Sequence, residues 1–503
     1  MPLLTPTNNR SWTNRHETFT QDIDNLFNVS NPNTGSVLND YNTTTLTIKQ
    51  LLTAGLEQGK SVRALGGGWS FTKVATTDGW MVDTKRLNMA MNIRESSVSS
   101  AYLGDKSQLL LAQCGMSVQE LNNVLEGSGR ALKTCGASNG QTIVGAFSTG
   151  THGSAIDLGA TQDFIVGLHV IVSPAHDIWL ERASYPVVSD AFVAKLNTTL
   201  VRDDELFEAV VVGLGSMGFI HSVMLETEPK YLLECYRIPV DLDNSLKHIM
   251  QTLDFSGVSQ LPHGSERPFH FQVVIDPFDN AAKSIVTVMY KRSYTSDYEK
   301  PQVDDPGAAG PGDDVPAFLG KITDSIPFLT PLIVSQLVKR SYKLYRNIRG
   351  TCGEIFTNNN IRGKVLSTAL GIPVEFALQV NDILMEVNRS DGPFTGIFSY
   401  RYTRKSGATL AFTRFDHTLV LELDGVESAI TRRFYDVVWQ ALEDAGIPYT
   451  FHWGKINNLD AEKTRRMYGN DLDRWLSARN ELLPPEMRDV FSNDTLRDWG
   501  LDS

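Results

Sequence analysis

Residues 135–154 read CGASNGQTIVGAFSTGTHGS. Gly, Ser and Thr dominate, as they would in a flexible linker. Yet Ile143, Val144, Ala146 and Phe147 sit inside the stretch, and linkers do not usually carry such residues. Two further segments share this texture. Residues 63–71, RALGGGWSF, place three glycines after a strand-like start, and residues 210–220, VVVGLGSMGFI, place three more after an apolar run. Glycine loses more backbone entropy on folding than any other residue, so three such segments call for a common use. Consecutive turn amides make an anion-binding concavity, and only glycine lets a pyrophosphate lie so close to the backbone. Ser and Thr hydroxyls add neutral donors. Three ordinary turns are the plain alternative, and the apolar residues within the segments count against it.

The third segment contains G-x-G-x-x-G at Gly213, Gly215 and Gly218, which suggests a Rossmann dinucleotide turn. That motif requires a helix next. The sequel FIHSVMLETEP is β-rich and ends at Pro229, and the acidic residue expected about twenty positions on is replaced by YRIPV at 236–240. The spacing predicts a tight turn between two strands.

Working outward, 41–60 carries leucines at helical spacing, with threonine caps and a glycine stop. Strands are predicted at SVRAL, WMVDTKRLN, SQLLLAQCG, FHFQVVIDPF, KSIVTVMYKRSY, TGIFSYRYT, ATLAFTRF and HTLVLELDG. Helices are predicted at SVQELNNVLEGSG, LTPLIVSQLVKRSYKLYRNI, ESAITRRFYDVVWQALEDAG and DAEKTRRMYGNDLDRWLSARNELL. The apolar side of 328–347 reads first as core, with a cavity wall or a membrane-touching surface as alternatives. Residues 295–318, rich in Pro, Gly and Asp, read as a loop.

With 503 residues, 41% hydrophobic and 21% charged, the chain has room for two or three domains. A net charge of -12 excludes a basic nucleic-acid footprint. Cys114, Cys135, Cys235 and Cys352 form no CxxC and read as free thiols of a reducing compartment. No secretory signal is expected, and no apolar run reaches the roughly 20 residues that a spanning helix needs. The expected location is the cytoplasm.

The sequence resembles the FAD-linked oxidases of the vanillyl-alcohol-oxidase and p-cresol-methylhydroxylase superfamily, in particular the aldonolactone and alditol oxidase branch. The carriers are RALGGGWSF, GQTIVGAFSTGTHGSA, ELFEAVVVGLGSMGFIHSVML, FHWGK and RMYGNDLDRWLSAR followed by VFSND. They cover most of residues 10–228 and 370–500. The resemblance implies an α+β fold: a two-lobed FAD-binding domain at 1–228, an α+β substrate cap domain over the flavin at 229–449, and a C-terminal segment, 450–503, returning to the FAD domain. It implies FAD contacts from Gly66, Gly67, Gly68, Trp69 and Ser70. Further contacts are expected from Ser138, Gly140, Thr142, Ser148, Thr149, Gly150, Thr151, Gly153, Ser154, Gly218 and Ile220. His152 reads as a local hydrogen-bonding residue of its turn. Many relatives carry a flavin-linked histidine where Trp69 stands, so the resemblance implies non-covalent FAD.

The family's general reaction takes a hydride from a CH–OH carbon to flavin N5. The resemblance therefore implies a small-molecule alcohol as substrate, a sugar, polyol or lactone or a more apolar alcohol, with oxygen or another acceptor. Lys455 of FHWGK matches the family lysine, and Arg401 of GIFSYRYTR matches the family arginine. Strand alternation puts Ser399, Arg401 and Thr403 on one face, with Tyr400 and Tyr402 on the other. Ser399 replaces the family glutamate, which leaves the base open. Glu375 and His452 are the further catalytic candidates, with His417 and Glu422 behind them. Two readings stand: an FAD-linked oxidase or dehydrogenase, and a flavin-binding module without catalysis.

Overall fold

Three large sheets and two two-stranded ones make up the computed structural model, which describes residues 3–279, 283–301, 319, 322–357 and 364–502. A four-stranded sheet runs Leu4–Pro6, Asn25–Ser30, Trp80–Arg86, Val62–Leu65. Its last three strands are parallel. A six-stranded sheet runs Thr199–Arg202, Asp177–Glu181, Ile165–Ile171, Phe219–Glu226, Leu109–Gln113, Ala90–Asn92. These two α+β lobes share the helix Val37–Glu57, whose Ile48, Leu51 and Leu52 are buried. Another lobe helix, Val118–Gly127, starts at a capping box: Ser117 Oγ accepts from Glu120 N, and Ser117 N donates to the Glu120 carboxylate.

The third sheet has eight strands in the order Tyr345–Gly350, Tyr231–Asp241, Lys283–Ser293, His270–Ile275, Gly396–Arg404, His417–Val426, Val365–Pro373, Thr450–Phe451. Every pairing is antiparallel. The helices Ala377–Ser390 and Ala429–Asp444 cover one face through Leu384, Phe434 and Val438. The other face carries polar residues at alternate positions.

Four local expectations change. The run VVV is the end of a helix, Asp204–Val211, capped by Asp203 and not a strand; the strand Phe219–Glu226 follows the glycines, so no Rossmann unit forms. ATLAFTRF is a buried loop. Arg404 pairs directly with His417, so the residues between them form the strand connection. The 328–347 helix stops at Ser341 and gives way to an edge strand. The tail helix breaks at Gly469, whose φ of 54° is left-handed. Most of the expected loop at 295–318, residues 302–318, lies outside the described residues.

Residues 453–493 contact both lobes. Trp475 Nε1 donates to Val212 O at 3.2 Å. Asn493 Nδ2 donates to Thr76 O at 2.7 Å. Phe71 N donates to Gly454 O at 2.8 Å, and Thr72 Oγ1 donates to Trp453 O at 2.9 Å.

Candidate active site and cofactor cradle

The three glycine segments meet. A Cβ on Gly66 would lie 2.2 Å from Thr142 Oγ1, one on Gly67 2.7 Å from Gly140 O, and one on Gly140 2.7 Å from the Trp69 ring. The 66–70 turn is thus packed onto 140–142 with no room for side chains between them. Buried Arg63 joins the third segment to them: it donates to Leu214 O at 2.5 Å, Gly215 O at 2.9 Å and Phe491 O at 3.0 Å. Its pKa falls to about 9 because burial disfavours its charge, with Arg479 adding repulsion. Leu214 N donates to Ser148 O at 3.2 Å. Thr142 caps the short helix Ile143–Ser148, so the buried-type residues of CGASNGQTIVGAFSTGTHGS are core side chains beneath the turn.

What these segments leave unused is as informative. Among the described residues, the amides of Gly67, Gly68, Trp69 and Ser70 donate to no protein acceptor, while the next amide, Phe71, does. The Trp69 Nε1–H is buried without a partner. The four amides belong to half-exposed residues and a buried indole N–H is normally satisfied, so the turn leaves its donors open to an acceptor from outside the chain. Ser138, Gly140, Thr149 and Thr151 border it half-exposed, whereas Ser148, Gly150, Gly153, Ser154, Gly218 and Ile220 are buried. Ser154 Oγ instead accepts from Tyr402 N at 3.1 Å, tying the cradle to the eight-stranded sheet.

On the polar face of that sheet, register sets the neighbours. Arg401 pairs with Gln272, Ser399 with Glu422, and Glu422 with Ala369; Asp424 pairs with Ile397 and Ser367. Arg401 Nε lies 3.1 Å from Glu422 Oε2 as an ion pair, and that N–H has no aligned acceptor. Gln272 Nε2 donates to Ser399 Oγ at 2.9 Å. Lys455 Nζ donates to Ser367 Oγ at 2.8 Å, which donates to Asp424 Oδ1 at 2.6 Å. The two chains run side by side, because Glu422 and Asp424 are two residues apart on one strand face.

The loop that delivers Lys455 also touches the cradle. Gly454 leaves only 3.2 Å between an added Cβ and Ser70 Oγ. Lys455 Nζ sits 5.3 Å over Phe71, and the opposite partner of that ring is His16, stacked at 4.3 Å. Arg15 lies 4.4 Å over the Trp69 ring. From the cradle side, His152 reaches Glu422, Nε2 to Oε1 at 3.8 Å. His152 Nδ1 donates to Gly153 O at 2.8 Å, so the local role expected for it holds while its other nitrogen faces the carboxylate.

Burial sets the electrostatics. Burial, then Arg401, pushes His152 down to about 3. Burial, then Arg401 and Arg237, does the same for His270, whose Nε2 has no partner. Burial, then His152 and Lys455, holds His452 well below the usual range. His452 Nδ1 accepts from Gly454 N at 3.0 Å, which leaves the neutral ring's proton on Nε2. Burial also opposes the charge on Arg401, but Glu422 and Asp424 outweigh it and raise its pKa. Asp424 is pushed up by burial and by Glu422 against the pull of Lys455. The site therefore holds two fixed cations, one ion-paired carboxylate, one acid inclined to keep its proton, and neutral histidines.

The structure brings Lys455, Arg401 and His452 together. It does not bring Glu375: that side chain is exposed on a 3-10 turn beyond the end of Val365–Pro373, outside the cluster. Asp424, Ser367, His270 and Gln272 join the site without having been singled out from sequence. The alternation in HTLVLELDG would have paired Asp424 with Glu422; no local signal marks Ser367.

Residues 41–175 match the family described as FAD binding domain. An FAD-binding domain lies within the chain. It is 24% identical to D-arabinono-1,4-lactone oxidase of Kluyveromyces lactis over 37% of this chain and 30% of that protein. It is 23% identical to L-gulono-1,4-lactone dehydrogenase of Mycobacterium tuberculosis over 90% of this chain and 92% of that one. The first of these matches spans about a third of the relative's length. In fold, the chain is similar to cholesterol oxidase from B. sterolicum, with a TM-score of 0.70, 15% identity and 99% of each chain covered. It is also similar to a glucooligosaccharide oxidase from Acremonium strictum, a protein with a 6-S-cysteinyl, 8α-N1-histidyl FAD, with a TM-score of 0.60, 14% identity and 96% and 93% covered. These likenesses show that the chain shares their α+β fold. The free amides and the side-chain-free contact at Gly66, Gly67 and Gly140 fit the pyrophosphate of such a cofactor.

Proposed function

We propose that this protein is an FAD-dependent oxidoreductase that oxidises a CH–OH group of a small alcohol. The observation that carries this reading is the double role of the HWGK loop. Through Gly454 it borders the cradle at Ser70, and through Lys455 it enters the charged cluster on the sheet. Bound FAD would supply a two-electron acceptor, held non-covalently at Gly66–Ser70 and against Ser138, Gly140, Thr142, Thr149 and Thr151. Residues 1–228 would hold it, 229–449 would cover it, and 450–503 would close the site from the FAD side.

The chain's own groups divide the work. The unsatisfied Arg401 Nε–H binds the substrate oxygen. Glu422, held beside Arg401, receives the hydroxyl proton as the alcohol becomes a carbonyl. Lys455, fixed by Ser367, places a positive charge beside the cradle and stabilises negative charge as it develops there. His452 and His152, both neutral, hydrogen-bond without adding charge. Ser399 is too short to reach across the site, and Glu422 faces it from the next strand.

The test is a visible spectrum of the purified protein before and after acid precipitation, followed by anaerobic titration with a panel of alcohols. Flavin in the supernatant supports non-covalent binding at Trp69; flavin in the pellet rejects it. Bleaching by an alcohol supports the oxidoreductase reading. A yellow protein that no alcohol bleaches supports the binding-module reading instead, which the absence of a carboxylate at position 399 favours.

A further inference from the structure

The helix Thr330–Ser341 lies over the strand face that carries Arg401. Its Val334 and Val338 are buried against Val274 and Ile397, and Ile397 shares that face with Ser399 and Arg401. Its outer side and flanks are different. Phe328 is 80% exposed, Leu332 62%, Leu344 55% and Ile326 39%. These four supply most of the large exposed side chains of the second half of the chain, and they fall within one short stretch. Burial of an apolar face explains Val334 and Val338; among the described residues nothing covers Phe328 and Leu332.

Charge distinguishes the stretch further. Between Asp324 and Glu354 the sequence holds Lys339, Arg340, Lys343, Arg346 and Arg349 and no acidic residue, in a chain of net charge -12. Lys339, Lys343 and Arg346 are exposed. Arg349 leans toward Glu234 at 3.8 Å, so part of its charge is already answered. Asp324, at the edge, is used in capping Ala429 and Ile430. Asp276, which accepts from Ser335 Oγ at 2.8 Å, is an acid that meets the helix from the sheet side. An apolar tip on a stretch whose own charges are all positive is the pattern of an interfacial element at an anionic lipid surface. Among the described residues, no helix is long and apolar enough to cross a membrane, so contact would be at the surface.

We propose that residues 326–349 dock this protein on the surface of an anionic lipid bilayer. Phe328 and Leu332 enter the headgroup boundary and Lys339, Lys343 and Arg346 face the phosphates. Docking there would bring the strand face of Arg401 close to the lipid boundary, with the helix as the layer between them. The inference rests on exposure and charge and stands whether or not the oxidoreductase reading holds.

The test is co-sedimentation of the purified full chain with phosphatidylcholine vesicles, with and without phosphatidylserine, over a range of salt. Binding is expected with phosphatidylserine, and it should fall as salt screens these positive charges. Lys339→Gln with Lys343→Gln should weaken partition by roughly fivefold per charge. Phe328→Ser with Leu332→Ser should weaken it by roughly tenfold or more. All four side chains are exposed and none belongs to the cradle or the charged cluster, so flavin content should not move. If the apolar pair fails to fold, the lysine pair still decides. No sedimentation with either vesicle, equal binding to both, or partition unmoved by the lysine pair would overturn the proposal. So would concentration-dependent self-association that Phe328→Ser abolishes, since that assigns the tip to a second copy of the chain.

Discussion

Ser399 and Glu422 face each other across one strand pair, and under the proposed function the role of base falls to Glu422. A serine hydroxyl is a weak base; the carboxylate that the chemistry asks for arrives from the neighbouring strand, already paired with Arg401. Glu422→Gln keeps the shape and removes the charge. It should lower the rate of anaerobic flavin bleaching by about 10²–10⁴-fold with flavin content unchanged. Glu375→Gln, on its exposed turn, should bleach at the wild-type rate, and a loss there equal to that of Glu422→Gln would move the base to position 375. Lys455→Ala should lower the bleaching rate by roughly 10²–10³-fold, the cost of removing one preorganised charge partner. FAD should stay bound, because the cradle amides belong to other residues. Bleaching kinetics that match wild type would take Lys455 out of the site.

At the scale of elements, the sequence revealed what depends on neighbours along the chain. The helix over Val37–Glu57, the capping box at Ser117 and the strands with two-residue periodicity are local patterns, and each forms where the pattern lies. The three glycine segments were legible as one unit because each combines glycine with core residues. ATLAFTRF misled because apolar residues are also needed in a loop buried between lobes. There Trp453 Nε1 donates to Leu410 O at 2.8 Å and Thr409 N donates to Glu208 O at 3.0 Å, bonds that only tertiary contact supplies. Ser367 and His270 escaped notice for the same reason: register across strands distant in sequence decides what they face. The cradle offers its own check. Gly67→Ala would set a methyl group 2.7 Å from Gly140 O, a backbone atom with little freedom to move. The ratio of flavin to protein absorbance should fall at least tenfold; full occupancy in that variant would mean the 66–70 turn is not the cradle.

Across the whole molecule, proton uptake should limit stability in acid. His16, His152 and His270 are each pushed down to about 3, mainly by burial, and His221 and His452 lie well below their usual range. All five are neutral in the fold at pH 7, while the unfolded chain takes up protons below about pH 6.5. The stability they contribute is therefore present above about pH 6.5 and is lost as pH falls from there toward the folded values. By pH 5 the loss approaches roughly 2 kcal/mol for each of the first three. Scanning calorimetry should show the melting temperature falling steadily below about pH 6.5, and replacing His270 with Gln should flatten that slope. A melting temperature constant between about pH 7 and pH 5 would contradict the account.

Arg63 adds a constraint in time. The arginine that begins RALGGGWSF is held by carbonyls of residues 214 and 215 and by that of Phe491, and Asn493 fixes the chain just after the cradle at Thr76. During synthesis the amides of residues 67–70 leave the ribosome early, but the residues that pin their setting emerge last. A nascent chain stalled before Phe491 would hold an arginine with part of its hydrogen bonding missing and a cradle not yet fixed in shape. Flavin capture should therefore wait for the helices around Phe491 and Asn493, and FAD-binding competence on the ribosome should appear only once those helices have cleared the exit tunnel.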